Sequence, residues 1–293
     1  MKIPALALTL LGSGCTAVHA PTPVLRGPVT AILRDDRMLL CASQSGVACI
    51  EGDRVEPFAN PGFRVLALTT GDGALFGAGG IPGEHGIVVA WRDGREVARA
   101  EIAADLLTAI VFDATDHTLV CSGADGAVLL LDAGSLALRR VLRRHGGAVR
   151  ALALSQGILA SAGLDGALLL GPRDAEPRAL RAHAAGIEAL AWSTDGSELA
   201  SACLDGRVRT FAREGRLLRA SDPIRARLLA LIASPQTGGF VSADAEGTLR
   251  HHDAQGMRTL FAGDGTPVFA LAPVGDALCC GRRELVTWHR AAR

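Results

Sequence analysis

Two stretches of this chain repeat almost the same phrase, ILASAGLDGALLL at residues 158–170 and ELASACLDGRVRTF at residues 198–211. Asp165 and Asp205 hold the same place in the phrase and lie 40 residues apart. In each copy Asp-Gly separates two apolar runs, which predicts a β-hairpin, because these residues tolerate the positive φ angles of a tight turn. A single hairpin is not stable alone in water. The recurrence therefore indicates an architecture built from repeated hairpins.

The phrase recurs on both sides of this pair. CSGADGAVLLLD places Asp125 in the turn before Asp165, and VSADAEGTLRHHD places Glu246 in the turn after Asp205. Three degenerate copies bring the number of hairpins to seven, and they read CASQSGVACIE, GAGGIPGEHGIVVAW and ALCCGRRELVTWH. Ahead of every hairpin stands a short pattern of Val, Ile or Leu, any residue, Ala, and Ile or Leu. Its alanines are spaced 36 to 42 residues apart, and they are Ala31, Ala67, Ala109, Ala151, Ala189, Ala230 and Ala270.

A further segment follows several hairpins, as in Val141-Leu142-Arg143 and Leu217-Leu218-Arg219. It mixes apolar residues with charge, as expected for the outer edge of a sheet. Each unit thus offers four strands, called a, b, c and d in chain order. Repeats of about 40 residues with four strands each predict an all-β fold, a seven-bladed β-propeller.

The two ends of the chain are expected to meet in the last blade. The seventh unit supplies strands a, b and c and then stops, so its outer strand is missing. Val24-Leu25-Arg26 matches the strand-d phrase and stands ahead of the first strand a. We therefore expect the N-terminal strand to complete the last blade and close the ring. Residues 21–293 then form a single propeller domain.

These features resemble the WD-repeat family over residues 23–293. The resemblance rests on the period of about 40 residues and on the turn aspartates and linker histidines, which are Asp125, Asp165, Asp205, His145 and His183. In that family the histidine, a strand-b Ser or Thr, the turn Asp and a strand-c Trp form a buried hydrogen-bonded set. The resemblance implies such sets in blade 4, from His145, Ser161 and Asp165, and in blade 5, from His183, Ser201 and Asp205. Phe211 stands where the Trp is usual.

The resemblance also implies a partner-binding face at the start of the a strands. Residues that flank the first apolar position there lie outside the repeat pattern, and they include Arg64, Arg150, Glu188, Arg227 and Phe269. Arginines and aromatic rings are common anchors at interfaces. We expect this face to bind another protein through an acidic segment. Changing the three arginines together to Glu is expected to abolish that binding and leave thermal unfolding nearly unchanged.

Composition argues against several other functions. The formal net charge is zero, and basic pairs such as Arg139-Arg140 and Arg143-Arg144 are expected on a solvated outer edge, so no nucleic-acid partner is expected. No haem-attachment, zinc, P-loop or serine-hydrolase motif is present, which predicts no catalytic residue, no metal and no cofactor. His251 and His252 are expected to be exposed and to point to opposite faces of a strand.

The seven cysteines favour a structural role. Cys41 and Cys121 stand at the strand-b position that Ser161, Ser201 and Ser242 occupy in other units, which indicates a small buried side chain. A disulfide between Cys41 and Cys49 of the first blade is an open alternative.

The N-terminus resembles a bacterial export signal, with Lys2 followed by apolar and small residues up to Cys15. Two cleavage sites are open. One precedes Cys15, which would then be lipid-attached as in a lipoprotein, with residues 16–22 as a short tether. The other follows Ala20, as in ordinary secretion. Residues 1–20 are therefore expected to be a signal, and the protein periplasmic or membrane-anchored; the alternative is a cytoplasmic protein.

The sequence thus predicts a monomeric, non-catalytic platform for protein–protein interaction. One alternative is a propeller enzyme that uses the central channel. Its mouth positions contain a single acid, Glu188, which argues against hydrolytic or metal chemistry; the positions are Thr30, Leu66, Thr108, Arg150, Glu188, Leu229 and Phe269. The other alternative is an accessory or assembly factor for a redox partner.

Overall fold

A computed structural model describes residues 16–18, 25–34, 38–51, 54–180 and 183–290 of the chain. These residues form 28 strands in seven antiparallel sheets of four strands each. Neighbouring a strands contact one another all the way round, so they line the centre of a closed ring. The seven-bladed, all-β propeller is therefore confirmed. Among the residues described, no helix has the length and hydropathy needed to cross a membrane.

The strands are numbered in chain order, and each blade takes one strand of each type. The a strands are β2 (Ala31–Arg34), β6 (Arg64–Gly71), β10 (Leu107–Asp113), β14 (Val149–Ser155), β18 (Ile187–Trp192), β22 (Leu228–Ala233) and β26 (Ala270–Val274). The b strands are β3 (Leu39–Ser43), β7 (Ala74–Ile81), β11 (Thr118–Gly123), β15 (Ile158–Gly163), β19 (Glu198–Cys203), β23 (Phe240–Asp244) and β27 (Ala277–Gly281). The c strands are β4 (Gly46–Glu51), β8 (His85–Arg92), β12 (Ala127–Asp132), β16 (Leu168–Pro172), β20 (Val208–Ala212), β24 (Leu249–Asp253) and β28 (Val286–Arg290). The d strands are β5 (Arg54–Ala59), β9 (Arg95–Ala103), β13 (Leu138–Arg144), β17 (Arg178–Leu180), β21 (Leu217–Ala220), β25 (Gly256–Phe261) and, for blade 7, β1 (Thr16–Val18).

An N-terminal strand closes the ring, as predicted, but a different segment supplies it. Thr16–Val18 pairs antiparallel with Val286–Trp288 of β28. The prediction named Val24-Leu25-Arg26; Leu25 and Arg26 are described and form no strand, so that assignment was wrong. A three-residue sequence motif is too short to determine which segment pairs with β28. The tether predicted at residues 16–22 thus contains the closing strand.

The segment around Arg26 instead fastens blade 1 to blade 7. The Gln44 N–H donates to the Arg26 carbonyl at 3.0 Å, and the Glu284 N–H donates to the Gly27 carbonyl at 2.9 Å. Leu25 is buried in the hydrophobic cluster between these two blades. The two ends of the chain therefore meet twice, once through the closing strand and once through this connection.

The variable position of the a-strand pattern is a β-bulge. In blades 2 to 6 the register shifts between the first apolar residue and the alanine, as between Val149 and Ala151 or Ile187 and Ala189. A bulge re-aims the side chain of the extra residue. The repeated pattern therefore encodes one freely variable side chain at the channel mouth of each of these blades.

The core lies between the blades. Seven clusters of buried apolar residues each join one blade to the next, including the cluster that joins blade 7 to blade 1. Residues of the b and c strands are buried on successive positions, as required when both faces of a sheet are covered.

Arg143 corrects the prediction that the basic pairs of the third d strand form a solvated edge. Its side chain is buried and donates to the carbonyls of Leu159 and Leu169 at 3.1 and 2.9 Å, which joins blade 3 to blade 4. Arg144 is exposed, and Arg139 pairs with Asp132 at the surface. Strand position, and not charge alone, decides which arginine enters the interface between blades.

His251 and His252 are both buried, so the prediction that they are exposed was wrong. They do point to opposite faces. His251 contacts the Thr237 hydroxyl at 2.9 Å, and His252 contacts the Ser242 hydroxyl at 2.8 Å. Polar partners on strand b and its preceding loop thus bond one ring nitrogen of each histidine, and these partners are not visible in the local sequence pattern.

Cysteine does replace serine in strand b. Cys41 pairs with Ile32, and Ser161 with Leu152, at the same position of their blades, and Cys41 is fully buried. No disulfide joins the cysteines that the structure describes. Cys41 lies opposite Ala48 and Cys49 opposite Leu40, so their side chains point to opposite faces of the sheet and a bridge between them is excluded.

Candidate partner-binding face

One face of the ring carries all b–c turns and the residues immediately ahead of the a strands; we call it the turn face. A backbone hydrogen bond of 2.8 to 2.9 Å ties each turn of blades 3 to 6 to its own a strand. In each pair the turn residue donates its N–H to the carbonyl of the residue ahead of the a strand. The pairs, donor first, are Ala124 with Leu106, Leu164 with Ala148, Leu204 with Gly186, and Ala245 with Arg227. These bonds hold the turn residues at fixed positions around the channel mouth.

Blade 4 contains the hydrogen-bonded set that the resemblance implies. His145 Nδ1 lies 3.2 Å from Asp165 Oδ2, and Nε2 lies 2.9 Å from the Ser161 hydroxyl. Burial lowers the pKa of His145, which Asp165 opposes only in part, so the ring is neutral. A carboxylate only accepts, so Nδ1 carries the proton and Nε2 accepts from Ser161.

Blade 5 departs from that arrangement because Arg209 enters the set. One guanidinium nitrogen, Nη1, lies 2.7 Å from His183 Nδ1 and 2.6 Å from Asp205 Oδ2, so it donates to both. His183 Nδ1 therefore accepts, and its Nε2–H donates to the Ser201 hydroxyl at 2.7 Å. The tautomer is the opposite of that in blade 4.

The presence of Arg209 in the blade 5 set also bears on metal binding. His183, Cys203 and Asp205 bring ligand atoms within 4.8 Å of one another, a spacing that suits a metal ion. Nη1 of Arg209 already bonds the histidine and aspartate atoms that an ion would need. The described geometry thus favours a structural set over a metal centre.

Blade 6 builds its set from different residues. Asp244 is fully buried, accepts from the Glu246 and Thr248 N–H groups at 2.9 Å, and pairs with Arg250. Glu246 does stand at the turn position that Asp205 holds in blade 5, but the carboxylate that accepts from the turn amides belongs to Asp244, two residues earlier. In blade 3, Asp125 accepts from the Ala127 N–H at 3.0 Å, as a turn residue should.

We expect these buried neutral histidines to make stability depend on pH. Burial, with the nearby charge of Arg209, lowers the pKa of His183 to about 4, and burial lowers the pKa of His252 to about 4 as well. An unfolded histidine titrates near pH 6.5. Between about pH 6.5 and 4 the unfolded chain therefore binds more protons, and the free energy of unfolding falls as the pH falls. The slope is up to about 1.4 kcal/mol per pH unit for each histidine.

Urea unfolding at several pH values between 4 and 8 measures this slope. In a His183→Gln variant the slope is expected to be clearly smaller than in the wild type, whatever the variant's stability at pH 8. An unchanged slope would show that His183 titrates normally in the folded state.

Three of the predicted face residues lie together on blades 4 to 6. The Glu188 carboxylate accepts from Arg150 Nε at 3.2 Å and from Arg227 Nη2 at 2.5 Å. The Glu188 side chain is only 3% exposed, whereas those of Arg150 and Arg227 are 39% and 55% exposed. We call these three residues the Glu188 cluster. Two of the three predicted anchor arginines are therefore already paired within the molecule.

The cluster changes the expected outcome of the triple arginine variant. Glutamates at positions 150 and 227 would surround a buried carboxylate with like charge, so stability would fall together with binding. The expectation of nearly unchanged thermal unfolding does not fit this geometry.

Arg64 and Phe269 lie apart from that cluster. Phe269 is partly buried at the start of blade 7, where its N–H donates to the Gly281 carbonyl at 2.8 Å. Arg64 lines a groove of about 1150 Å³ between blades 1 and 2 on the turn face. This blade 1–2 groove is lined by Arg26, Gln44, Ser45, Val47, Pro57, Phe58, Ala59, Asn60, Gly62, Phe63, Arg64, Gly80, Ile81 and Pro82.

The comparisons with known proteins identify the repeat. A model described as "WD domain, G-beta repeat" matches residues 176–211. That segment begins at strand d of blade 4 and ends at Phe211 in strand c of blade 5. The chain is therefore a seven-bladed β-propeller in which this unit is similar to a WD40 repeat. No curated protein matches its sequence.

Three solved structures share the fold over almost the whole chain, and two of them are described as WD40 repeats or a WD40 β-propeller. The WD40 repeats of RRP9 align with a TM-score of 0.80 at 16% identity, over 95% of this chain and 97% of that one. The WD40 β-propeller domain of Doa1 aligns with a TM-score of 0.77 at 14% identity, over 94% and 95%. The computationally designed Ika8 protein aligns with a TM-score of 0.70 at 18% identity, over 94% and 100%. Identities of this size show the fold alone.

Sequence reasoning missed several parts of this propeller. It did not find Arg209 in the blade 5 set, Asp244 in the blade 6 turn, or the blade 1–2 groove. Arg209 and Arg250 pair with serines of strand b at the same register, so an alignment of blades by pairing would have found them together. Cys15, the predicted lipid attachment site, lies outside the described residues.

Proposed function

We propose that this WD40 propeller is a non-catalytic platform that docks another protein on its turn face. The observation that carries this proposal is a pair of exposed leucines, Leu164 and Leu204, which are 48% and 40% exposed. They stand directly before the turn aspartates of adjacent blades, where blades 3 and 6 have Ala124 and Ala245. Structure alone does not require a large apolar side chain at this position.

The two leucines converge on one spot. Gly186 lies between them, and a Cβ atom added there would lie 3.1 Å from Leu164 Cδ2 and 3.3 Å from Leu204 Cδ1. Arg227 directly precedes the a strand of the next blade, in the position that Gly186 holds in blade 5. The two leucines thus form a small apolar centre on the turn face, and exposed apolar patches of this kind mark interaction sites.

Two observations support the non-catalytic part of the proposal. Glu188 is the single acid among the seven channel-mouth positions, and both of its oxygens are engaged by arginines. The threonines at two of these positions are also engaged, since Thr30 and Thr108 donate to the carbonyls of Val65 and Val149 in the next blade. These polar groups hold blades together and are not poised for chemistry.

Co-purification from native membranes tests the docking proposal. A L164S/L204S variant is expected to retain less than a tenth of the partner that the wild type recovers, because its apolar centre is lost. Thermal unfolding should change little, since both side chains are exposed. The matched control is L217S, an exposed leucine on the outer strand of blade 5. Recovery of the partner at the wild-type level by the folded double variant would contradict the proposal.

We further propose that the protein is exported and lipid-attached at Cys15, as a monomer. The closing strand supports cleavage before Cys15 over cleavage after Ala20. The first leaves Thr16–Val18 in the mature chain, and the second removes this strand from blade 7. The intact mass of the chain recovered from membranes checks this proposal. An acylated chain that begins at Cys15 is expected, and a chain that begins at Met1 would contradict export.

A further inference from the structure

The blade 1–2 groove is positively charged and has no acidic wall. Its fourteen lining residues include Arg26 and Arg64 and no Asp or Glu. The acids that neighbour it in the sequence, Glu56 and Glu84, are exposed and do not line it. The remaining surface is mostly apolar and includes Phe58, Ile81 and Pro82. A ligand that fits must therefore offer negative charge together with an apolar group.

Arg64 is the strongest indication that the groove is built for an acidic group. Its Nε atom is buried and hydrogen-bonds to no described residue. Arg143 and Arg173 also have a buried Nε without a partner, but their terminal nitrogens bond to carbonyls or carboxylates. No described residue forms an ion pair or a side-chain hydrogen bond with the guanidinium of Arg64 or of Arg26. Arg64 therefore lines the groove with an unpaired positive charge, and a carboxylate bound in the groove would pair with its guanidinium.

The walls of the groove are held in place from outside it. The guanidinium of Arg99 lies 5.5 Å from the centre of the Phe63 ring and donates to the Pro61 carbonyl at 2.9 Å. The blade 2 turn is held by Asp105, which accepts from the Gly83 N–H at 2.8 Å. A preformed groove avoids the entropic cost of ordering its walls on binding.

The groove also lies where the repeat is least regular. The b–c turn of blade 2 contains extra residues, and Ile81 and Pro82 of this turn form one wall. No linker histidine precedes β6, since Pro61 stands four residues ahead of Val65. Residues of the turn face that depart from the repeat are not needed for the structure that all blades share, so they are free to vary with a ligand.

We propose that the blade 1–2 groove binds a short acidic segment of a partner protein. A carboxylate of that segment pairs with Arg64 and a second with Arg26, and an apolar side chain packs against Phe58 and Ile81. This inference rests on the proposed function, because it names the chemistry that the docking platform recognises.

A random dodecapeptide library displayed on phage, panned against the purified propeller, tests this inference. Enriched peptides are expected to carry at least two acidic residues next to Leu, Ile or an aromatic residue. Synthetic versions should bind at least tenfold more weakly to R64E and to R26E, and more weakly as salt is added. The matched control R258E, an exposed arginine on the outer strand of blade 6, should bind like the wild type.

Arg26 is exposed, so R26E keeps the test valid if R64E does not fold. No enrichment of acidic peptides, or equal binding by wild type and the folded R26E variant, would overturn the inference. The leucine variant L164S/L204S separates the two proposals. If it loses the partner while groove variants keep it, the platform stands and the groove is not its binding site.

Discussion

A R150Q/R227Q variant of this propeller will be less stable than the wild type by about 3–5 kcal/mol at neutral pH. Both changes remove cations that pair with the buried carboxylate of Glu188. The two arginine side chains are partly exposed, so their replacement removes little buried surface. The Glu188 carboxylate, in contrast, remains in a site where it is only 3% exposed. An unpaired buried charge carries its full desolvation cost.

Restoring charge balance supplies the control. The triple variant R150Q/R227Q/E188Q removes the carboxylate as well and is expected to recover most of the lost stability in urea unfolding. Equal stability of wild type and double variant would show that Glu188 is not held by these arginines.

Removal of the closing strand will have an effect of similar size. A chain that begins at Pro21 lacks Thr16–Val18 and leaves β28 as an open edge in blade 7. About three ladder hydrogen bonds of about 0.5–1.5 kcal/mol each are lost, so the expected destabilisation is about 2–4 kcal/mol. An unpaired strand edge also promotes association between copies, which light scattering would detect.

The matched control is a chain that begins at Cys15 and so keeps the closing strand. It should unfold in urea at the same midpoint as the full chain, whereas the chain that begins at Pro21 should unfold earlier. Equal midpoints for the two shortened chains would mean that blade 7 does not depend on this strand.

The sequence determined the blades of this protein. The turn aspartates, the alanines of strand a and the apolar runs of strands b and c are local signals, and each acts within about 40 residues. The hydrogen-bonded set of His145, Ser161 and Asp165 was also predicted, as an implication of the resemblance to the WD-repeat family, and blade 4 contains it. Even the exchange of Cys41 for Ser follows from the repeat, since the position is small and buried in both cases.

Tertiary structure alone decided the contacts between units that are far apart in the chain. Glu188 meets Arg150 and Arg227 from the two neighbouring blades, 38 and 39 residues away, and no local pattern encodes that meeting. Thr16–Val18 closes the ring although Val24-Leu25-Arg26 matches the strand-d motif better, because closure depends on which segment reaches the edge of β28. The blade 1–2 groove likewise exists only where two blades meet. Repetition fixes what each blade is, and packing of one blade against the next fixes which charges remain available to a partner.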